Sequence, residues 1–146
     1  MSKLRWWLIL ALRLFIGAIF VYAAYTKLRM PWMLFAMSVD SYQILPEWGV
    51  EIVARVLPWT ELILGALLIL GLVVRWAAVG STALLTVFFS AIVRAYSLGL
   101  TINCGCFSTN EALNKVTILR DGSFLAASLI LTILAFLARR RARQTA

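Results

Sequence analysis

The chain contains no histidine and only two cysteines. Closed zinc sites draw four ligands mainly from imidazoles and thiolates, and that ligand set is missing here. Carboxylates are few, six Asp and Glu against fourteen Lys and Arg in 146 residues. No glycine-rich phosphate-binding loop occurs. No stretch alternates apolar and polar residues as a membrane β-strand does. Linkers, low-complexity segments and clear repeats are also absent. If this chain does chemistry, Cys104 and Cys106 are the place to look for it.

What is present is apolar surface. The chain is 63% hydrophobic and 14% charged, with a mean hydropathy of +0.93. A soluble domain of this length has too little interior to hide so much apolar surface. A spanning helix needs ~20 mostly apolar residues to cross ~30 Å of hydrocarbon. Four segments qualify, at about 6–28, 50–74, 76–97 and 122–138. Helices satisfy their own backbone in lipid, whereas isolated strands do not. The expectation is an all-α integral membrane four-helix bundle, one transmembrane domain over 1–146, with small residues such as Gly17, Gly65 and Ser81 allowing close helix approach.

Charge sets the expected topology. Lys3 and Arg5 precede the first span, Arg139, Arg140, Arg141 and Arg143 follow the last, and Arg75 sits in the short turn between the second and third. By the positive-inside rule both termini lie in the cytoplasm, and the site is the bacterial inner membrane. The first span is too long for a signal peptide and no small-x-small cleavage site follows it cleanly, so it reads as retained. All six acids, Asp40, Glu47, Glu51, Glu61, Glu111 and Asp121, fall on the outer half. The net charge of +8 is therefore a topology signal and not a nucleic-acid footprint. Its expected contact is membrane lipid.

Two outer loops follow. In residues 29–49, Met30-Pro31 stops the first helix. Trp32, Met33, Phe35, Ala36 and Val39 then make a helical stripe that predicts a short interfacial helix. Trp48 reads as an interfacial anchor. The second loop, 98–121, is polar and holds Asn103-Cys104-Gly105-Cys106-Phe107, with a short helix expected near Asn110 capped by Ser108 or Thr109.

Cys104 and Cys106 flank a glycine that eases the bend a disulfide between them would need. So small a ring is strained, and strained or exposed disulfides exchange readily. A staple over so short a loop adds little stability. The outer compartment also lets disulfides persist. A redox-active pair is the leading reading. A structural disulfide, two separate thiols, or a soft-metal site for copper(I) or mercury stand beside it.

Charges inside the spans need partners. Glu61 cannot reach the headgroups as Lys and Arg do, so Lys27 or Arg94 is its expected partner below the sulfur loop. A cation there would favour the thiolate. Arg29 reads as snorkelling, and Arg13 sits toward the inner half of span one. Tyr22, Tyr25, Trp59 and Phe107 are candidates to line a pocket for a flat ligand such as a quinone, against the plainer reading of interfacial anchors. No covalently bound cofactor and no resident metal are expected.

Several stretches carry a family resemblance. They are Arg13 to Lys27-Leu28 with Pro31 after it, and Tyr42-Gln43-Ile44-Leu45-Pro46. Leu57-Pro58-Trp59-Thr60-Glu61 with Gly65 and Gly71, and then Cys104-Gly105-Cys106-Phe107, complete the set. In this order and over nearly all its length the chain resembles the DoxX-like membrane proteins, in their MauE (methylamine utilisation) branch. Ser108 stands where that family often continues with glycine. The resemblance implies a four-helix membrane protein that supports maturation of a disulfide-rich periplasmic dehydrogenase, through disulfide formation or transport. It also implies links to thiol redox and quinones, and a thioredoxin-like or other periplasmic thiol protein as partner. A non-enzymatic accessory role, in which the disulfide only shapes a docking loop, is the rival expectation.

Overall fold

The computed structural model describes residues 2–100 and 114–145. Among the described residues five α-helices follow one another: α1 (Lys3–Arg29), α2 (Trp32–Ser41), α3 (Glu47–Leu70), α4 (Val74–Ser97) and α5 (Lys115–Gln144). At ~1.5 Å per residue the four long helices reach roughly 36–45 Å, enough to cross hydrocarbon. Helix α2, with 10 residues, is too short to span.

Local chemistry sets the helix ends. The Ser2 hydroxyl accepts from the Arg5 amide and opens α1. Met30, held extended before Pro31, closes it. Pro31 and Pro46 each stand just ahead of a first turn, where a missing N–H is harmless. Helix α3 carries Pro58 in its interior and ends at Gly71, whose φ of 79° is left-handed. The amides of Gly71 and Leu72 both return to the Leu67 carbonyl there. Asn114 caps α5 by accepting from the Thr117 amide at 2.9 Å.

The spans therefore differ in detail from the hydropathy reading. The second stops at Leu70 instead of running to Val74, because Gly71 turns the chain and α4 begins at Val74. The last begins at Lys115, so the part of the expected loop from Lys115 to Asp121 is helical. Hydropathy finds the segment that lies in lipid, and the hydrogen-bonded helix runs past it on both sides. The expected helix near Asn110 lies outside the described residues.

Around the bundle the helices run in the order α1, α3, α4, α5, so α1 faces α4 across one diagonal and α3 faces α5 across the other. Packing is most extensive within two pairs, α1 with α3 and α4 with α5. Helix α2 lies on α3, burying Phe35 against Ala54 and Leu57. Only the Phe35, Ala36 and Val39 part of its stripe packs inward; Trp32 and Met33 point outward. The central core joins Ile16 and Phe20 of α1 to Leu68, Ala77, Ala78 and Leu131. Each span buries no more than a third of its apolar stretch. The remaining apolar surface, including Leu70, Trp76 and Val87, faces outward as lipid requires.

Small and hydroxylated residues do the joining. A Cβ built on Gly65 would stand 2.8 Å from the Gly17 carbonyl oxygen and 3.0 Å from the Val21 amide nitrogen. Glycine is what lets α1 and α3 approach this closely. Between α4 and α5, the Thr82 hydroxyl lies 2.8 Å from that of Ser128 and 3.0 Å from that of Thr132.

Gly65→Val should strain the α1–α3 crossing by about 1–3 kcal/mol. Gly49→Ala, whose added carbon meets ordinary contacts at 3.4 Å or more, should be close to neutral. Unfolding midpoints in a denaturing-detergent titration check both.

Candidate functional site

Lys27 and Glu61 form a buried ion pair between α1 and α3, 3% and 5% exposed. The ammonium donates to both carboxylate oxygens, at 2.7 and 2.8 Å. The antiparallel geometry explains the reach. Above the Gly17–Gly65 crossing, Lys27 stands ~15 Å up its helix and Glu61 ~6 Å up its own. Side chains lean toward their helix N-terminus. In antiparallel neighbours, that lean turns the lysine down and the glutamate up, and the two close the gap. The Lys27 ammonium also stands 5.4 Å from the Phe35 ring centre and 5.6 Å from that of Phe88. Ring faces favour a cation at such distances.

The pair borders a small central cavity of about 40 Å³ that Asp121, Phe89 and Phe124 also line. At ~10–15 Å³ each it has room for on the order of three waters, and not for a cofactor ring. Asp121 is 7% exposed and pairs with the Arg120 guanidinium at 3.2 Å. A larger, almost wholly apolar groove of about 240 Å³ runs between α2, α3 and α4, with Phe35 and Phe88 in its wall.

Of the two expected partners, Glu61 takes Lys27 and not Arg94. Arg94 donates instead to the Tyr42 carbonyl at 3.1 Å, closing the C-terminal end of α2 onto α4. Tyr22, Tyr25 and Trp59 are each more than half exposed on the outside of the bundle, so they line none of the described cavities and agree with the plainer reading as anchors. Tyr25 stacks under Arg29 at 5.5 Å. Cys104, Cys106, Asn103 and Phe107 lie outside the described residues. Their described neighbours do not. Leu100 packs with Tyr42, Ile92, Ala95 and Ile118, and Asn114 caps α5. Both stand at the Lys27–Glu61 end of the bundle.

Sequence reasoning missed two parts of this site. Asp121 stood one residue ahead of the expected last span, and an acid so placed is a readable sign of a helix entering the bundle with a polar face. Phe88 carries no such sign, being one apolar residue among many.

The sequence profile of the family described as methylamine utilisation protein MauE matches residues 5–135. The chain belongs to the MauE family. Methylamine utilization protein MauE of Paracoccus denitrificans is 34% identical over 128 residues, which cover 86% of this chain and 64% of that protein. The chain thus spans somewhat less than two thirds of the length of this MauE relative. No solved structure matches. MauE membership and four membrane-length apolar helices make this a multi-pass membrane protein.

Removing one partner of a buried ion pair strands the other charge, at about 3–5 kcal/mol. Glu61→Leu should lose stability on that scale in micelles, and Lys27→Met combined with Glu61→Leu should recover most of it. A double variant as unstable as the single one would mean that the pair does more than neutralise itself.

Proposed function

We propose that this protein is a membrane accessory of methylamine utilisation that carries out thiol–disulfide exchange through Cys104 and Cys106. The observation that carries the reading is the Cys-Gly-Cys unit itself, the only sulfur pair of the chain. Two findings support it. Leu100 and Asn114, which the segment joins, stand at one end of the bundle. The opposite end carries Arg75 and Arg139, as the cytoplasmic side should. On this reading the sulfurs face the periplasm of a bacterial inner membrane, with both termini in the cytoplasm.

In the oxidising direction, a thiolate of a periplasmic partner attacks one sulfur of the Cys104–Cys106 disulfide. A mixed disulfide forms and the other sulfur leaves as thiolate. The partner's second thiolate then attacks its own mixed-disulfide sulfur, so the partner leaves oxidised and Cys104 and Cys106 are dithiol. Two electrons and two protons pass to a membrane quinone, which becomes quinol as the disulfide re-forms. The partner is a thioredoxin-like or client thiol protein. On this reading the quinone would lie in the apolar groove between α2, α3 and α4, whose lining matches an isoprenoid chain.

Alkylation gel shifts of the protein in cells should show the pair alternating between dithiol and disulfide. The Cys104→Ser, Cys106→Ser double variant should accumulate clients with reduced cysteines. Clients that oxidise normally in that variant would reduce the protein to a docking accessory.

A further inference from the structure

At the end of the bundle away from Lys27 and Glu61, a second cavity opens between the diagonal helices α1 and α4, backed by α5. It measures about 430 Å³. Arg13 enters from α1, Arg75 from the first turn of α4 and Arg139 from the end of α5. No carboxylate lines it. Among the described residues, none of the three arginines forms an ion pair: the described pairs involve Lys27, Arg55 and Arg120. Three arginines lining one space with no carboxylate among them is an arrangement that favours an anion.

Two of the three, Arg13 and Arg75, are held in place. The Arg13 Nε donates to the Leu68 carbonyl at 3.0 Å, and its guanidinium lies against Gly71, where an added Cβ would stand 2.3 Å from Nη2. Arg75 lies 5.7 Å from the Phe136 ring centre. Val73, in the wall of the same cavity, is held at a φ of 41°, a left-handed conformation that a β-branched residue seldom adopts. Such strain gathers where ligands are clamped.

The rest of the lining indicates which anion fits. Trp6 and Trp76 stand at the cavity, 49% and 64% exposed, as tryptophans do at headgroup depth. Ile9 and Val74, which pack on the central core, and buried Ala135 give it an apolar floor, with Leu10 beside them. A soluble anion has no use for that floor, whereas a phospholipid has both a charged head and a chain to lay on it. Basic pockets between membrane helices bind anionic headgroups in this way. We infer that this cavity is a specific site for the phosphate headgroup of an anionic phospholipid.

The inference is independent of the redox reading and is tested on delipidated full-length protein in micelles. Phosphatidylglycerol, phosphatidylcholine and inorganic phosphate are each added, with native mass spectrometry reading retained lipid and a thermal melt reading stabilisation. Phosphatidylglycerol should be retained and should raise the melting temperature well above the effect of phosphatidylcholine. Arg139→Gln, at the exposed end of α5, should weaken it about five-fold, and Arg75→Gln with Arg139→Gln by roughly the square of that. Arg141→Gln with Arg143→Gln removes as much charge from the tail and should leave binding nearly intact. Equal retention of the two lipids, or an equal loss in the tail variant, overturns the site in favour of diffuse attraction. Stabilisation by inorganic phosphate alone, lost in the Arg139 variant, overturns the lipid assignment in favour of a soluble anion.

Discussion

The salt bridge from Lys27 to Glu61 is the constraint around which the rest is arranged. Neither charge tolerates hydrocarbon alone, so α1 and α3 must stay in one register. The glycines at 17 and 65 bring the two backbones together below it, and the rings of Phe35 and Phe88 roof the ammonium. Helix α2 is drawn in by that roof, since Phe35 is its most buried residue. The site-bearing end is thus built from the inside out, starting from one pair of opposite charges.

Much of this could be read from residues alone. Four apolar runs gave four spans, and Met30-Pro31 with the stripe after it gave the interfacial helix. That Glu61 needs a cation followed from its inability to reach water. Which cation it takes did not follow, because Lys27 and Arg94 sit at similar depth and only the packing order of the helices separates them. The aromatics had two readings for a related reason. In lipid a helix is apolar on all sides, so the periodicity that marks an inward face in water is silent. For Trp59, Tyr22 and Tyr25 the plainer reading as interfacial anchors is the one that agrees with their exposure.

The two ends of the bundle divide the chemistry. The end with Glu61 and Asp121 holds the buried acids, and the opposite end gathers arginine. Arg13 serves that division twice, satisfying the last carbonyls of α3 while lending its charge to the cavity beside it. In the same way Arg94 fixes the end of α2. Guanidiniums here act first as caps on helix ends.

The uneven packing has a mechanical meaning. The chain falls into two halves at Gly71–Val73: α1, α2 and α3 before it, α4 and α5 after. Each half is tightly joined within itself and more thinly to the other, and all three described voids straddle the seam between them. The molecule is two leaves of helices, and what binds one to the other is the central core of Ile16, Phe20 and Leu68 against Ala77, Ala78 and Leu131.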